Sequence, residues 1–264
     1  MAVLSVATLF STTSHAAESK LVMTGSSTVA PLAAEIAKRF EQQNPGVRVD
    51  VQSGGSGRGV NDARSGVANI GLVSRALKAE EQDLKSFTIA LDGVAVIVHK
   101  SNPIKMLTRE QIIAIYTGKI SNWKEVGGRD QTITVVNKAE GRSTLELFAG
   151  HFQLKNSDIK AQVVIGDNPQ GIKTVVGNPG AIGYVSIGSA EFEVEQGAAL
   201  KLLPLDGVAA TTDNVRNGKF PLSRPLNLVT KGEPAGLARQ FIDFARSPKV
   251  LDLVKEQYFV PLSR

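Results

Sequence analysis

The sequence predicts an α/β fold of two lobes, each a mostly parallel sheet flanked by helices, with crossover strands joining them. Short runs of β-type residues alternate with helical runs, as in parallel sheets covered by helices. Polar loops rich in glycine and serine follow several of the β-type runs. One apolar stretch, residues 87–100, is too long for a surface strand, so we interpret it as a crossing between lobes.

The first lobe is expected to open with three strand, loop and helix units. A strand at 21–24 precedes a helix that begins near Pro31, where apolar residues recur at three- and four-residue spacing. The strand VRVDVQ (47–52) runs through SGGSGRG into a weak short helix. ANIGLVS (68–74) is a third strand, and the charged segment RALKAEEQDLKS (75–86) is expected to be a helix.

The second lobe is expected to repeat this arrangement. Thr108, with Gln111 three residues later, predicts a capping box for a helix. ITVVN (133–137) is a strand that leads through KAEGRST into the helix LELFAGHF, and AIGYVSIG (181–188) is a further strand. RPLNLVTK (224–231) is interpreted as the return crossing, after which two helices complete the first lobe.

These elements divide the chain into a signal peptide at 1–16, a first lobe at 20–92 and 223–264, and a second lobe at 93–222. The signal peptide is predicted from an apolar run followed by small residues that suit cleavage after Ala16. A basic n-region is missing, so we expect either that the start is truncated or that this segment is only a mobile tail.

The amino-acid composition excludes several kinds of site and of membrane attachment. Of 264 residues, 42% are hydrophobic and 21% charged, which is typical of globular domains. The chain has no cysteine, which excludes disulfides, thiolate metal sites, cysteine nucleophiles and a cysteine-linked lipid anchor. Apart from the N-terminal run, no apolar stretch approaches the length of a membrane span. The net charge of +5 suits an anionic ligand, although a basic surface that only confers solubility is an equal alternative.

Four polar loops stand between a strand and a helix: TGSSTVAP (24–31), SGGSGRG (53–59), the Ser74–Arg75 corner and KAEGRST (138–144). Ligands of open α/β sheets bind at this edge, where helix N-termini present unpaired N–H groups to anions. Caps and turns use the same residue types, so each loop alone has a structural explanation. Four such loops on two lobes favour an anion site, to which Arg75 and Arg142 could each contribute a forked guanidinium.

The sequence does not match the known motifs of catalytic and cofactor-binding sites. Val60 and Asn61 replace the Lys and Ser/Thr of a nucleotide-binding P-loop, and Arg58 replaces the second glycine of a nucleophile elbow. His99 and His151 lack the spacing of metal ligands. We therefore expect no catalytic residues, no metal and no cofactor.

Taken in order, several segments resemble one family, the phosphate-binding proteins of bacterial ABC transporters, which are two-lobed periplasmic receptors. The matching segments are TGSSTVAP, SGGSGRG, NIGLVSR, LTREQIIAIYTGKISNWKEVGG, AIGYVS and RPLNLVTKGEP. The resemblance implies a type II-like periplasmic binding protein, a monomer without nucleic-acid binding or membrane insertion. It would bind inorganic phosphate, or a related tetrahedral oxyanion, in an interlobe cleft and deliver it to the permease subunits of an ABC transporter.

The resemblance also implies which residues bind the ligand. Carried onto this chain, the site comprises Ser27, Thr28, Val29, Ser56, Gly57, Ser74, Arg75, Gly141, Arg142, Ser143 and Thr144. Two positions depart from the family pattern. The arginine that usually opens the second-lobe loop lies inside it here, and Arg75 stands where better-known members place an aspartate that accepts the proton of hydrogen phosphate. Asp92 and Glu140 are possible substitutes for that aspartate.

Two other classes of function remain open at this stage. A phosphoester-processing enzyme could use the same set of oxyanion donors, and an envelope adhesion or scaffold protein could carry a vestigial anion cleft. Binding of one oxyanion, without turnover of phosphate esters, would distinguish the receptor from both.

Overall fold

The computed structural model describes residues 19–262, and their ten strands form one sheet flanked by helices. The strands are β1 (Ser19–Gly25), β2 (Val47–Ser53), β3 (Ile70–Val73), β4 (Leu84–His99), β5 (Thr134–Lys138), β6 (Val163–Ile165), β7 (Ala181–Ser186), β8 (Leu200–Leu202), β9 (Ser223–Lys231) and β10 (Val260–Pro261). The helices are α1 (Val29–Gln43), α2 (Ser56–Ser65), α3 (Arg109–Tyr116), α4 (Ser143–Phe152), α5 (Asn168–Gly177), α6 (Ile187–Glu195), α7 (Thr212–Arg216), α8 (Gly236–Ala245) and α9 (Leu251–Glu256). The predicted signal peptide lies outside the described residues.

Strands at each end of the sheet pair in parallel, whereas the strands at its centre pair antiparallel. The order is β2-β1-β3-β9-β4-β7-β5-β6, with β8 and β10 attached to β4. β1 pairs in parallel with β2 and β3, and β5 with β6 and β7. β4 pairs antiparallel with β9 over its first part and with β7 over its second. The predicted α/β class with crossing strands is thus confirmed.

Separate hydrophobic cores lie on the two halves of the sheet. On the first half, Phe241 and Ile242 of α8 pack in one cluster with Leu21 of β1 and Leu32 of α1. On the second half, Phe148 and Tyr184 stack with their ring centroids 3.9 Å apart. Each half therefore has a core of its own, and β4 contributes residues to both.

Local signals in the sequence identify several elements correctly. α1 buries the apolar face that its three- and four-residue spacing predicts. At α3, the Thr108 hydroxyl accepts from the Gln111 N–H at 3.2 Å, and the Thr108 N–H donates to Gln111 Oε1 at 2.9 Å. This reciprocal pair is the predicted capping box.

The predicted helix at 75–86 is wrong. Only a short 3₁₀ turn, Ala79–Glu81, forms there, and β4 already begins at Leu84. Leu84 is buried and pairs with Lys231 of β9. Long-range pairing with β9 therefore overrides a local composition that favours helix.

α2 begins inside the glycine-rich loop, rather than after it as expected. A Cβ added to Gly59 would lie 2.6 Å from the Leu72 carbonyl oxygen and 2.9 Å from the Thr24 carbonyl oxygen. Because glycine has no side chain, α2 can pack directly on the backbones of β1 and β3. This close contact places Ser56, at the start of α2, against the edge where β3 ends.

Among residues 19–262, no helix combines the length and the apolar character that a membrane crossing requires.

Substituting Gly59→Ala should destabilise the fold by about 1–3 kcal/mol, because the new methyl group has to displace the backbone of β1 or β3. Gly150→Ala is the matched control, since Gly150 lies on α4 and no heavy atom is within 4 Å of an added Cβ. That change should be neutral or stabilising by roughly 0.5–1 kcal/mol. Chemical unfolding measures both, and equal stability of the two variants would contradict the proposed packing of α2.

Candidate functional site

Four serine hydroxyl groups meet where β1, β3, α2 and α4 converge. Ser74 Oγ lies 2.8 Å from Ser26 Oγ and 2.6 Å from Ser143 Oγ, and the Ser74 N–H donates to Ser56 Oγ at 3.1 Å. All four side chains are buried. Since Ser143 lies on the second half of the sheet and the other three on the first, this cluster joins the two halves.

A small cavity of about 10 Å³ adjoins this cluster. It is lined by Ser26, Ser27, Thr28, Gly55, Ser56, Ser74, Lys138, Arg142, Ser143, Thr144 and Gly166. Three of the lining segments lie at the first turns of α1, α2 and α4, whose N-terminal N–H groups have no partner within their own helix. The lining therefore supplies hydroxyl, backbone and cationic donors.

Ser26 orders the first of these helix ends. Its hydroxyl oxygen accepts from the Thr28 N–H at 3.2 Å and from the Val29 N–H at 3.3 Å. The structural explanation of the first loop as a helix cap thus applies to Ser26, rather than to Ser27 or Thr28.

A buried ion pair, Arg224 with Asp92, lies beside the cavity and links the two crossover strands. Arg224 donates to Asp92 Oδ2 from Nε at 3.0 Å and from Nη2 at 2.8 Å. The same guanidinium also donates to Thr144 Oγ1 at 3.0 Å and to Thr28 Oγ1 at 3.2 Å. Asp92 Oδ1 accepts from the Gly188 N–H at 3.2 Å. Arg224 therefore contacts hydroxyl groups of both halves at once.

Lys138 is a second buried cation, and it lines the cavity itself. Its Nζ donates to Asn168 Oδ1 at 2.9 Å, and Asn168 Nδ2 donates to Thr28 Oγ1 at 3.0 Å. Burial, with a further contribution from the positive charge of Arg224, lowers the pKa of Lys138 to about 7. Small changes in its surroundings therefore decide whether this amine is charged at neutral pH.

Arg142 occupies a gap that two glycines leave open. A Cβ on Gly55 would lie 2.9 Å from Arg142 Cδ, and one on Gly166 would lie 3.2 Å from Arg142 Nη2. Gly55 belongs to the first half of the sheet and Gly166 to the second. The guanidinium thus lies between the halves, at the cavity wall.

The structure brings seven of the predicted residues together around the cavity, namely Ser27, Thr28, Ser56, Ser74, Arg142, Ser143 and Thr144. Val29, Gly57 and Gly141 lie next to it without lining it. The Gly57 N–H donates to the Gly141 carbonyl oxygen at 3.1 Å, so these two loops contact each other across the halves.

Arg75 is not among the lining residues, although the sequence pattern predicted it. Its guanidinium donates to Glu81 from Nη1 at 2.6 Å and from Nη2 at 2.8 Å, and Nε lies 2.7 Å from Glu146 Oε2. Two carboxylates therefore neutralise this cation and hold it away from the cavity. Glu81 was expected on a charged helix, so nothing in the local sequence revealed the pair.

Several site residues escaped sequence reasoning, among them Ser26, Gly55, Lys138, Gly166, Asn168 and Arg224. One signal for Arg224 was available. A charge within the apolar run RPLNLVTK has to be paired when the strand is buried, and Asp92 interrupts the other apolar crossing in the same way. Asn168 and Gly166 follow a strand, β6, that the sequence patterns did not predict, so they carried no such signal.

Within residues 19–262, no group of three or more His, Asp or Glu side chains is arranged to hold a metal ion. The two histidines weighed as metal ligands both lie outside the cavity lining, since His99 Nδ1 contacts Ser101 Oγ at 2.8 Å and His151 lies beside Asp206. What the site offers chemically is a compact set of donors and positive charge, which suits a small oxyanion.

Proteins of known family resemble this chain in sequence over most of its length. Residues 11–249 match the family model described as PBP superfamily domain. The phosphate-binding protein PstS of Bacillus subtilis (strain 168) is 32% identical over 255 residues, which cover 94% of this chain and 82% of that protein.

Two solved structures also resemble the chain closely. One is a putative phosphate ABC transporter substrate-binding protein with bound phosphate from Clostridium perfringens, at 35% identity and a TM-score of 0.85. The other is an ABC-type phosphate transport receptor from Vibrio cholerae, at 33% identity and a TM-score of 0.76. Each match covers 92% of this chain and 100% of the other. The chain belongs to the PBP superfamily and, within it, to the family of bacterial phosphate-binding proteins that serve ABC transporters.

Proposed function

We propose that this protein is a periplasmic receptor that binds inorganic phosphate between two lobes and delivers it to the permease of an ABC transporter. The observation that carries the proposal is the convergence of donors from both halves of the sheet on one cavity. The similar Clostridium perfringens protein has phosphate bound, which supports the same ligand here. Membership of the same family supports the periplasmic location.

The ligand is held by neutral donors together with Arg142. Ser27, Thr28, Ser56, Ser143 and Thr144 provide hydroxyl groups, and the first turns of α1, α2 and α4 provide N–H groups. Hydrogen bonds to a charged group are each worth about 1.5–3 kcal/mol. Water is largely excluded because most of the lining is buried, which strengthens each of these contacts.

We infer that the lobes comprise residues 20–92 with 223–264, and residues 93–222. The two boundaries fall on β4, which contributes residues to both cores, and on β9, which pairs with β4. Opening and closing would then turn on the segments near Gly93 and Ser223, which pair with each other across the two strands. The Arg224–Asp92 ion pair lies next to both of these segments.

Binding without catalysis is the simplest function for this donor set. A serine nucleophile needs a base within hydrogen-bonding distance. Among the described residues that line the cavity there is no histidine or carboxylate, and Lys138 is the one side chain that could act as a base. The relatives are by name a phosphate-binding protein and a phosphate transport receptor, so the phosphoester-processing alternative has no observation in its favour.

Calorimetry with phosphate should show tight binding of one ion per chain. Arg142→Ala should weaken that binding by about 10–100-fold, because it removes a guanidinium from the cavity wall. Arg129→Ala is the matched control, since it removes the same charge from an exposed loop position and should change the affinity less than about twofold. An unmodified protein that binds no phosphate would favour the scaffold alternative and refute the proposal.

Ser143→Ala should weaken phosphate binding by about 10-fold or more, since a buried hydroxyl donor to the anion is lost. Ser157→Ala removes an exposed hydroxyl from the same half of the sheet and should leave the affinity unchanged. Thermal unfolding of both variants without phosphate separates a loss of binding from a loss of folding. Equal affinities for the two folded variants would remove Ser143 from the site.

Turnover of a chromogenic phosphate monoester should not exceed the rate in buffer. The reason is that the cavity offers no histidine or carboxylate, among the residues described around it, to activate a hydroxyl group. Hydrolysis that disappears in Ser56→Ala would instead establish the enzyme alternative.

A further inference from the structure

Glu146 is a carboxylate that lies close to the cavity without lining it. It follows Thr144, which does line the cavity, by two residues, and both belong to the first turn of α4. A negative charge in this position repels an anion in the cavity. Some other contact therefore has to account for the presence of this carboxylate.

The Glu146 carboxylate contacts two cations of the opposite half of the sheet. Its Oε2 lies 2.7 Å from Arg75 Nε, and its Oε1 lies 3.3 Å from Lys78 Nζ. Arg75 and Lys78 follow β3 on the first half, whereas Glu146 lies on α4 of the second half. Both oxygens of this carboxylate therefore form ion pairs across the two halves.

Arg75 is held in position by its own half of the sheet. Glu81 accepts from Arg75 Nη1 at 2.6 Å and from Nη2 at 2.8 Å, and the Ala76 carbonyl oxygen accepts from Nη1 at 3.0 Å. The Lys78 N–H also donates to Glu81 Oε2 at 2.9 Å. These contacts leave the Nε edge of the guanidinium to the second half, so Glu146 meets a cation that is already oriented.

The four charges of this cluster balance only when the two halves are together. Arg75 and Lys78 are positive and Glu81 is negative, so the part that belongs to the first half carries one excess positive charge, which Glu146 neutralises. The Arg75 side chain is 6% exposed and that of Glu146 is 28% exposed. Solvent therefore screens their attraction less than it screens an ordinary surface pair.

The contacts beside this cluster also join the two halves at the cavity. Ser74 Oγ lies 2.6 Å from Ser143 Oγ, and the Gly57 N–H donates to the Gly141 carbonyl oxygen at 3.1 Å. Each of these serines is within three residues of a member of the charge cluster. Separation of the halves at the cavity would therefore also break the ion pairs of Glu146.

We propose that Glu146 determines the phosphate affinity of this protein by holding the two halves together through Arg75 and Lys78, without contacting the phosphate. This inference rests on the proposed phosphate-binding function and assigns to the same site a positioning residue outside the cavity. Arg75 then contributes to binding through Glu146, rather than through the direct ligand contact that the sequence pattern predicted. Because phosphate leaves when the halves separate, these ion pairs slow its release.

Glu146→Gln keeps the shape of the side chain and removes its charge. Calorimetry should show phosphate binding about 5–50-fold weaker, because the closed arrangement loses the ion pairs with Arg75 and Lys78. If Glu146 acted only as a charge close to the cavity, its removal would instead favour the anion and strengthen binding. Equal or tighter binding by the folded variant would overturn the proposal.

Glu140→Gln is the matched control, since it removes the same charge from the loop that precedes α4. Glu140 is exposed and does not line the cavity, and its Oε1 accepts from Asn156 Nδ2 of the same half at 3.0 Å. Phosphate binding by this variant should be unchanged or tighter by up to about twofold. A loss as large as that of Glu146→Gln would show that contact with the first half is not the cause.

The rates of binding and release distinguish this role from damage to the cavity. Release of radiolabelled phosphate into an excess of unlabelled phosphate measures the dissociation rate constant. In Glu146→Gln this constant should rise by nearly the whole factor by which Kd rises, and the association rate constant should change less than about threefold. A weaker affinity that came mostly from slower association would contradict the proposal. Thermal unfolding without phosphate verifies that the variant is folded.

Lys78→Met tests the more exposed partner of Glu146. Its effect on the phosphate Kd should be smaller, about 2–5-fold, because the Lys78 side chain is 43% exposed. In the Glu146→Gln background the same change should have less effect than it has alone, since the contact between the two residues is already lost. Additive effects of the two changes would overturn the role assigned to Lys78.

Failure of this inference can be distinguished from failure of the proposed function. An unmodified protein that binds phosphate tightly, together with a Glu146→Gln variant of equal affinity, would reject only the role of Glu146. An unmodified protein that binds no phosphate would refute the phosphate-binding function, and the role of Glu146 with it.

Discussion

The buried ion pair of Arg224 with Asp92 is the interaction on which the rest of the site depends. Both side chains are almost completely inaccessible to solvent, so removing either partner would leave an uncompensated charge, at a cost of about 3–5 kcal/mol. Asp92 and Arg224 are direct partners in the ladder of β4 and β9, so the pair lies across the two crossover strands. The N–H groups of Arg224 also reach Thr28 and Thr144. One cation thereby sets the relative position of hydroxyl groups from both halves of the sheet.

Close backbone packing is the second constraint. Gly59 lets α2 lie on the ends of β1 and β3, and Gly55 and Gly166 leave room for Arg142 between the halves. Larger residues at these positions would separate the helix N-termini from the shared cavity. The serine and glycine content of the loops therefore reflects the geometry of the site as well as the need for turns.

Elements whose signals lie within a few residues of chain could be predicted from the sequence. Elements and site residues that depend on distant partners could not. The apolar face of α1 and the Thr108 capping box could be predicted because both lie within a few residues of chain. The segment at 75–86 was misassigned because its pairing with β9 lies far along the sequence. Arg75 was expected at the ligand because the sequence does not show which carboxylates pair with it. Its carboxylate partners could not be identified without the fold, and neither could Arg224, a cation beside the cavity that a strand near the other end of the chain contributes.

The distribution of compensated charge explains how the site can hold an anion without a large excess of positive residues. Arg224 is neutralised by Asp92, and Arg75 by Glu81 and Glu146. Among the residues described around the cavity, the positive charge left for a ligand is that of Arg142 together with the titratable Lys138. Neutral hydroxyl and N–H dipoles then have to carry much of the stabilisation of a dianion, which is effective because they are buried and already oriented. The charge of the site therefore depends on a single proton, because burial and the neighbouring arginines bring the pKa of the Lys138 amine close to neutral pH.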